Sequence, residues 1–139
     1  MSAPGDPWTP ALESLAALRA RWRGSDWTWD GRLACAVSSF PIAQEPEARR
    51  ELAAEFPSEW TADTLPAAPG GVTALAHRCG GGLRPGQLLL CRDAADGGLL
   101  FALWWPWGDG TKVSVRIGIE GAPSADGLAQ RLREVLRAG

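Results

Sequence analysis

The chain contains no tyrosine, a single histidine and a single lysine among its 139 residues. The shortage of histidine limits acid–base catalysis near neutral pH, because histidine is the side chain whose ordinary pKa lies in that range. Arginine supplies all the other positive side chains, and alanine, glycine and proline are abundant. This composition indicates a GC-rich bacterial coding bias, which also accounts for the missing tyrosine, and it gives no functional signal.

Long apolar runs and clustered charge are also missing. No stretch approaches the roughly 18 consecutive apolar residues of a membrane-spanning helix. The segment from Met1 to Pro10 has no basic stretch followed by an apolar run, so no signal peptide is predicted. The net charge is −2 and the arginines are scattered, whereas a nucleic-acid-binding surface needs clustered basic charge. We therefore expect a cytoplasmic protein that binds neither nucleic acid nor membrane.

The three cysteines, Cys35, Cys79 and Cys91, include no C-x₂-C pair. Their odd number and apolar surroundings indicate buried reduced thiols. Together with His77 they contain the ligand types of a Cys₃His zinc site, but structural zinc sites usually include a C-x₂-C pair. A nucleophile–base pair of a cysteine with His77 is also conceivable on a shared strand. The sequence favours neither, so we predict no metal, no cofactor and no catalytic residue.

Two groups of carboxylates are candidates for acid–base chemistry. Glu59 and Asp63 flank Trp60, and Asp93 and Asp96 lie in a predicted loop. Paired acids beside a tryptophan suit glycoside hydrolysis. Acidic residues in loops more commonly stabilise turns, and we favour that interpretation here. The question of an enzyme stays open, with a non-enzymatic function preferred.

The most informative segment is a predicted β-hairpin that carries three of the eight tryptophans. Its first strand, Leu99 to Trp105, is apolar on both faces, whereas from Lys112 to Glu120 valine and isoleucine alternate with polar residues or glycine. Such alternation is typical of a half-buried strand. Each tryptophan can bury about 150–250 Å², so the position of these rings matters for the fold and for any binding surface.

A loop over 107–111 would pair Trp105 with Val113 and place Trp104 on the opposite face of the hairpin. There Trp104 would lie beside Ser114 and Arg116, whose guanidinium could stack on the ring. Two interpretations are open: a helix covers Trp104, or this face binds a partner. The candidate binding residues are Trp104, Trp107, Arg116, Ser114 and Trp60.

Helices and strands follow from apolar spacing and from proline and glycine positions. Helices are predicted from Thr9 to about Arg23, from Glu45 to Phe56, and after Ser124. Strands are predicted over 26–40 (with an interruption near Asp30), 72–79, 86–92, 99–105 and 112–120, with a short strand around Trp60 as a weaker candidate. Glycine-rich turns between the later strands indicate an antiparallel meander.

The fold class is therefore α+β: an antiparallel sheet, formed by a four-strand C-terminal meander plus one or two earlier strands, with three helices packed on it. Residues 1–8 are predicted to be a flexible N-terminal arm and 9–139 a single domain. In its order of elements, the chain resembles two architectures. One is that of small acidic secretion chaperones and related adaptor or immunity proteins, and the other is that of helix-grip ligand binders.

The first resemblance implies a non-enzymatic binding or adaptor protein that contacts a protein partner through a tryptophan-bearing sheet face. Tryptophan and arginine are enriched at interface hot spots, which favours this hypothesis. The partner is either an unidentified protein or a second copy of this chain. The second resemblance implies the alternative, a protein that binds a small apolar ligand in a tryptophan-lined cavity.

Overall fold

The computed structural model describes residues 8–94, 97–121 and 125–139. Within these ranges it contains the helices α1 (Thr9–Arg21), α2 (Glu45–Glu55), α3 (Gly70–Gly80) and α4 (Ala125–Leu136). It also contains the strands β1 (Thr28–Asp30), β2 (Cys35–Pro41), β3 (Ser58–Trp60), β4 (Leu88–Asp93), β5 (Leu99–Pro106) and β6 (Lys112–Glu120). The strands form one antiparallel sheet in the order β1-β2-β6-β5-β4-β3. The predicted α+β class with an antiparallel sheet is confirmed.

Three helices, α1, α2 and α4, pack on one face of the sheet, which we call the core face. Each buries a stripe at helical spacing, as the sequence predicts. The buried side chains of these stripes include Leu12, Leu15, Leu18, Ala48, Leu52, Leu128, Leu132 and Leu136. They meet Ala36 and Phe40 from β2 and the alternating apolar residues of β6. Ser124, after which the last helix is predicted, lies outside the described residues.

The predicted strand over 72–79 is wrong, because this segment forms α3. Its buried side chains are Val72, Leu75, Ala76 and Cys79, spaced by three, four and seven residues as on one face of a helix. The C-terminal meander therefore has three strands, β4, β5 and β6, and not four. A helix takes the place of the fourth strand because its apolar stripe covers the other face of the sheet.

The hairpin register differs by one residue from the expected one. Trp105 pairs with Ser114 instead of Val113. The backbone N–H of Trp107 donates to the carbonyl of Lys112 (2.8 Å), so that the loop between them has four residues and not five. Loop length sets hairpin register, so the difference extends along both strands.

This shift exchanges the two faces of β5. Trp104 pairs with Val115 and is only 2% exposed on the core face. The prediction that it lies beside Ser114 and Arg116 is therefore wrong, and a helix layer covers its ring. Because β5 is apolar on both faces, its pattern does not distinguish the two registers, and β6 keeps its valines in the core in either case.

The second face of the sheet carries α3. This helix packs on Cys35, Leu89, Cys91, Phe101 and Leu103. Arg78 of α3 also pairs with Glu120 of β6 at 2.8 Å. The N-terminal part of the described chain is tied to the core as well, since Trp8, the last residue of the predicted arm, is only 3% exposed.

No helix within the described ranges is long and apolar enough to cross a membrane.

Candidate functional site

Part of the second face is left uncovered by α3. On β2, Cys35 is buried, whereas Val37 stays partly exposed. Ser114 and Arg116 on β6 are also partly exposed. We call this region, formed by Val37, Trp105, Trp107, Ser114 and Arg116, the open face. It is the part of the sheet where polar and aromatic side chains from neighbouring strands reach solvent together.

Arg116 lies at the centre of the open face. Its guanidinium carbon is 4.5 Å from the centroid of the Trp105 ring, within the range of a cation–π contact. Its Nε atom is 3.8 Å from a carboxylate oxygen of Asp30, and its side chain is four-fifths buried. Among the described residues, neither this Nε nor the indole Nε1 of Trp105 has a hydrogen-bond acceptor. Two buried donors thus stand beside the solvent-facing surface.

Trp107 is the most prominent side chain of the open face, with 43% of its surface exposed. Its indole N–H donates to the Ser114 hydroxyl at 2.8 Å. The Lys112 ammonium lies 5.2 Å from its ring centroid. These contacts hold an exposed aromatic ring in one orientation, which reduces the conformational entropy that binding would cost.

The loop that carries Trp107 is ordered by its own hydrogen bonds. The Asp109 carboxylate accepts from the Thr111 hydroxyl (2.7 Å) and from the Thr111 N–H (3.0 Å). The Thr111 hydroxyl, followed by its backbone N–H, lowers the pKa of Asp109 below its ordinary value. The loop is therefore pre-organised at neutral pH, where this carboxylate is ionised.

A second exposed apolar side chain lies near the same end of the sheet. Ile42, 41% exposed, follows directly on β2. Its backbone N–H donates to the carbonyl of Thr111 in the hairpin loop (2.9 Å). Ile42 and Trp107 are the large hydrophobic side chains with the greatest exposure among the described residues. The backbone bond thus holds the segment after β2 against the hairpin loop.

The structure separates the five predicted binding residues. Trp107, Ser114 and Arg116 lie together on the open face, whereas Trp104 lies on the core face. Arg49 of α2 is 5.4 Å from the Trp104 ring centroid. Trp60 is on β3 at the far edge of the sheet and packs with the α3 layer.

Sequence reasoning missed two residues of the open face, Val37 and Trp105, and also Asp30, whose carboxylate reaches Arg116. The expected register pairs Trp105 with Val113 on the core face, one residue away from the observed pairing with Ser114. Asp30 reaches Arg116 only because β1 folds back on β2. The sequence signal for the turn between β1 and β2 is the interruption predicted near Asp30 in the strand over 26–40. In that turn, the Asp30 carboxylate accepts a hydrogen bond from the Arg32 N–H (3.0 Å).

The thiols are buried in the α3 layer. Desolvation raises the pKa of Cys35 and of Cys91 to about 12, and it also raises the pKa of Cys79. His77 lies on α3 and is exposed, whereas Cys79 is buried. Residues two apart on a helix do not share a face. The expectation that His77 and Cys79 point to one side is therefore wrong. Within the described chain, no three histidine, cysteine or acidic side chains are grouped to hold a metal.

The carboxylates considered for catalysis are dispersed. Glu59 pairs with Arg49 of α2, and Asp63 and Asp93 are exposed. Asp96 lies outside the described residues. The structure therefore assembles no acid pair from the described members of this set.

No protein-family model, no curated protein and no solved structure matches the chain.

Proposed function

We propose that this protein is a non-enzymatic binding or adaptor protein that contacts a protein partner through the open face. The observation that carries the proposal is the exposed Trp107 ring, held by Ser114 and Lys112 next to the Arg116–Trp105 stack. Tryptophan and arginine are the side chains most enriched at the centres of protein interfaces.

The chemistry of the open face suits recognition better than catalysis. Its hydroxyl, Ser114, accepts a hydrogen bond from an indole and is not paired with a base. Asp30, the carboxylate that reaches the open face from β1, is engaged with Arg116. Among the described residues of this face, no nucleophile is therefore activated by a neighbouring base in the way that covalent catalysis requires.

The charges of the open face indicate the partner surface. Lys112 is exposed, and Arg116 has an Nε donor without an acceptor among the described residues. A partner surface that presents carboxylates next to apolar side chains would pair with the exposed Lys112 ammonium and cover Trp107, whereas the Arg116 Nε is itself buried. Hydrogen bonds to charged groups contribute about 1.5–3 kcal/mol each when formed away from water.

Site-specific photo-crosslinking in the native host tests the proposal. A photoreactive phenylalanine analogue at position 107 should capture a defined protein, whereas the same analogue at Arg50, an exposed position on α2, should not. The captured partner is then purified, and its affinity is measured by calorimetry. Trp107→Ala should weaken binding by about 30-fold or more, the size of an interface hot spot, with an unchanged melting temperature.

Identical capture at both positions, or full affinity in the Trp107→Ala protein, would contradict the proposal. A crosslink between two copies of this chain would show that the partner at the open face is a second copy of the protein. Arg50→Ala is the matched control for the calorimetry, because it removes an exposed side chain from the helix layer and leaves the open face intact.

A further inference from the structure

Among the α-helices of the described ranges, only α3 packs on the second face of the sheet. On the core face, by contrast, α1 packs against both α2 and α4. Of the four buried side chains of α3, only Val72 and Leu75 are larger than alanine or cysteine. Elements with few buried apolar contacts open more easily than the rest of a fold. The helix is therefore the element whose local opening is expected to cost least.

One ion pair ties α3 to the sheet. Nε and Nη2 of Arg78 both donate to the same carboxylate oxygen of Glu120, at 3.0 and 2.8 Å. The Arg78 side chain is 45% exposed. Within the described part of the chain, no other ion pair joins α3 to a strand. The ionic attachment of this helix to the sheet thus consists of a single contact that solvent reaches.

Glycines stand at both ends of α3. Gly70 and Gly71 are its first two residues, and a Cβ at either position would meet nothing within 4 Å. Beyond the other end, Gly81 and Gly82 have φ values of +73° and +112°. Hinges are short stretches that absorb large backbone changes, and small residues often provide them. The chain can therefore turn at both ends while the helix keeps its internal hydrogen bonds.

The three thiols of the chain lie in the layer that α3 closes. Cys35 is fully buried on β2, and desolvation raises its pKa to about 12. Its sulfur is therefore protonated and shielded from reagents while α3 is in place. A Cβ built on Gly118 would lie 2.9 Å from this sulfur, so the sheet leaves no room beside it. A group attached to Cys35 could be accommodated only where α3 now lies.

The C-terminal end of α3 also meets the open face. The Trp105 ring lies against Gly80, because a Cβ built there would be 3.2 Å from Cζ2 of the ring. The same ring stacks with the Arg116 guanidinium, whose central carbon is 4.5 Å from its centroid. Movement of α3 would therefore remove one of the surfaces that hold Trp105 in the open face.

We infer that α3 is a hinged cover that opens as one unit, and that a covalent adduct on Cys35 holds it open and releases Trp105. Because the adduct fits only the open arrangement, it shifts the equilibrium to that state. With an electrophilic alkene, the sulfur forms a bond to one alkene carbon as the π bond breaks, and the other carbon takes up a proton equal to the one that the thiol released. A regulatory role in partner binding rests on the proposed function, whereas the opening itself does not.

Pulse labelling of the native full-length protein with N-ethylmaleimide tests the opening. A pulse that modifies only a small fraction of the molecules, followed by peptide mass spectrometry, gives the labelling rate of Cys35. This rate should depend far less on urea than global unfolding does, because the opening of one helix exposes less surface. Arg78→Gln should raise the rate about two- to fivefold, the usual effect of losing a surface ion pair.

Arg21→Gln is the matched control. Arg21 is 42% exposed and pairs with Glu51 of α2, so its replacement removes a similar contact from the helices of the core face. The labelling rate of Cys35 should stay unchanged in this variant. A urea dependence equal to that of global unfolding, or equal acceleration by the two arginine variants, would overturn the inference.

The effect of the adduct is measured in a protein with Cys79→Ala and Cys91→Ala, where Cys35 is the only thiol. After complete modification, amide hydrogen exchange should be fast in α3 and slow in α1 and α4. The Trp105 indole N–H resonance, assigned with Trp105→Phe, should move. Slow exchange in α3, fast exchange in all three helices or an unmoved Trp105 resonance would contradict the inference. No partner is present, so these results are separate from those of the crosslinking at position 107.

Discussion

Gly118 shows how a single missing side chain shapes the contact between the sheet and α3. A Cβ built at this position would lie 2.5 Å from Cζ of Phe101 and 2.9 Å from the sulfur of Cys35. Both side chains belong to the layer under α3. In the sequence, Gly118 only takes the place of a polar residue in the alternating pattern of β6. The Phe101 and Cys35 side chains that occupy the space beside it are identified only from the strand pairing.

Gly118→Ala should therefore destabilise the protein by about 1–3 kcal/mol, the usual cost of forcing a methyl group into a packed core. Chemical unfolding at neutral pH measures the change. Gly127→Ala is the matched control, since a Cβ at this exposed helix position meets nothing within 4 Å. Equal stability of the two variants would contradict the packing described for Gly118.

At the scale of elements, α3 and the β5–β6 hairpin show where sequence patterns were ambiguous. The spacing of Val72, Leu75, Ala76 and Cys79 is helical, yet glycine clusters on both sides made a short strand of a meander equally plausible. The hairpin was placed correctly as an element. Its register was wrong because both faces of β5 are apolar, so burial alone could not select one.

The end of α3 provides a prediction at this scale. Gly81 stands at its C-cap with φ +73°, and its N–H donates to the carbonyl of His77 (2.9 Å). Gly81→Ala should cost about 1–2 kcal/mol, because a Cβ disfavours the left-handed conformation. Gly71→Ala, in the first turn of the same helix, should cost nothing, as no positive φ or close neighbour restricts it. Urea unfolding measures the stability of both variants. A loss for Gly71→Ala as large as that for Gly81→Ala would contradict this account of the C-cap.

The whole molecule is a sheet between two unequal helix layers, and its three thiols are all buried under the thinner one. Because the chain has no tyrosine and one lysine, cysteines dominate the titration of the unfolded chain between about pH 8.5 and 11. Their pKa values are raised by desolvation in the folded state, so the fold favours the protonated thiol.

Stability should consequently fall as the pH rises above 9.0, the ordinary thiol pKa. The unfolded chain releases these protons there, whereas Cys35 and Cys91 keep theirs until a pH of about 12. Each such thiol should contribute a loss of about 1 kcal/mol at pH 10. Unfolding free energies at pH 7.5 and pH 10 under reducing conditions measure it. Cys91→Ala should lose less between the two pH values, and an unchanged difference would refute this account.

The sequence by itself determined the α+β class, the amphipathic helices α1, α2 and α4, and the alternating strand β6. The spacing of apolar residues within each segment predicts which of its faces is buried, and this spacing is a local property of the chain. The tertiary structure alone decided the hairpin register, the helical state of α3 and the composition of the open face. These features depend on contacts between distant segments: Asp30 with Arg116, Gly118 with Phe101, and α3 with the sheet. A local pattern that fits two arrangements equally well is resolved only by the packing that one of them permits.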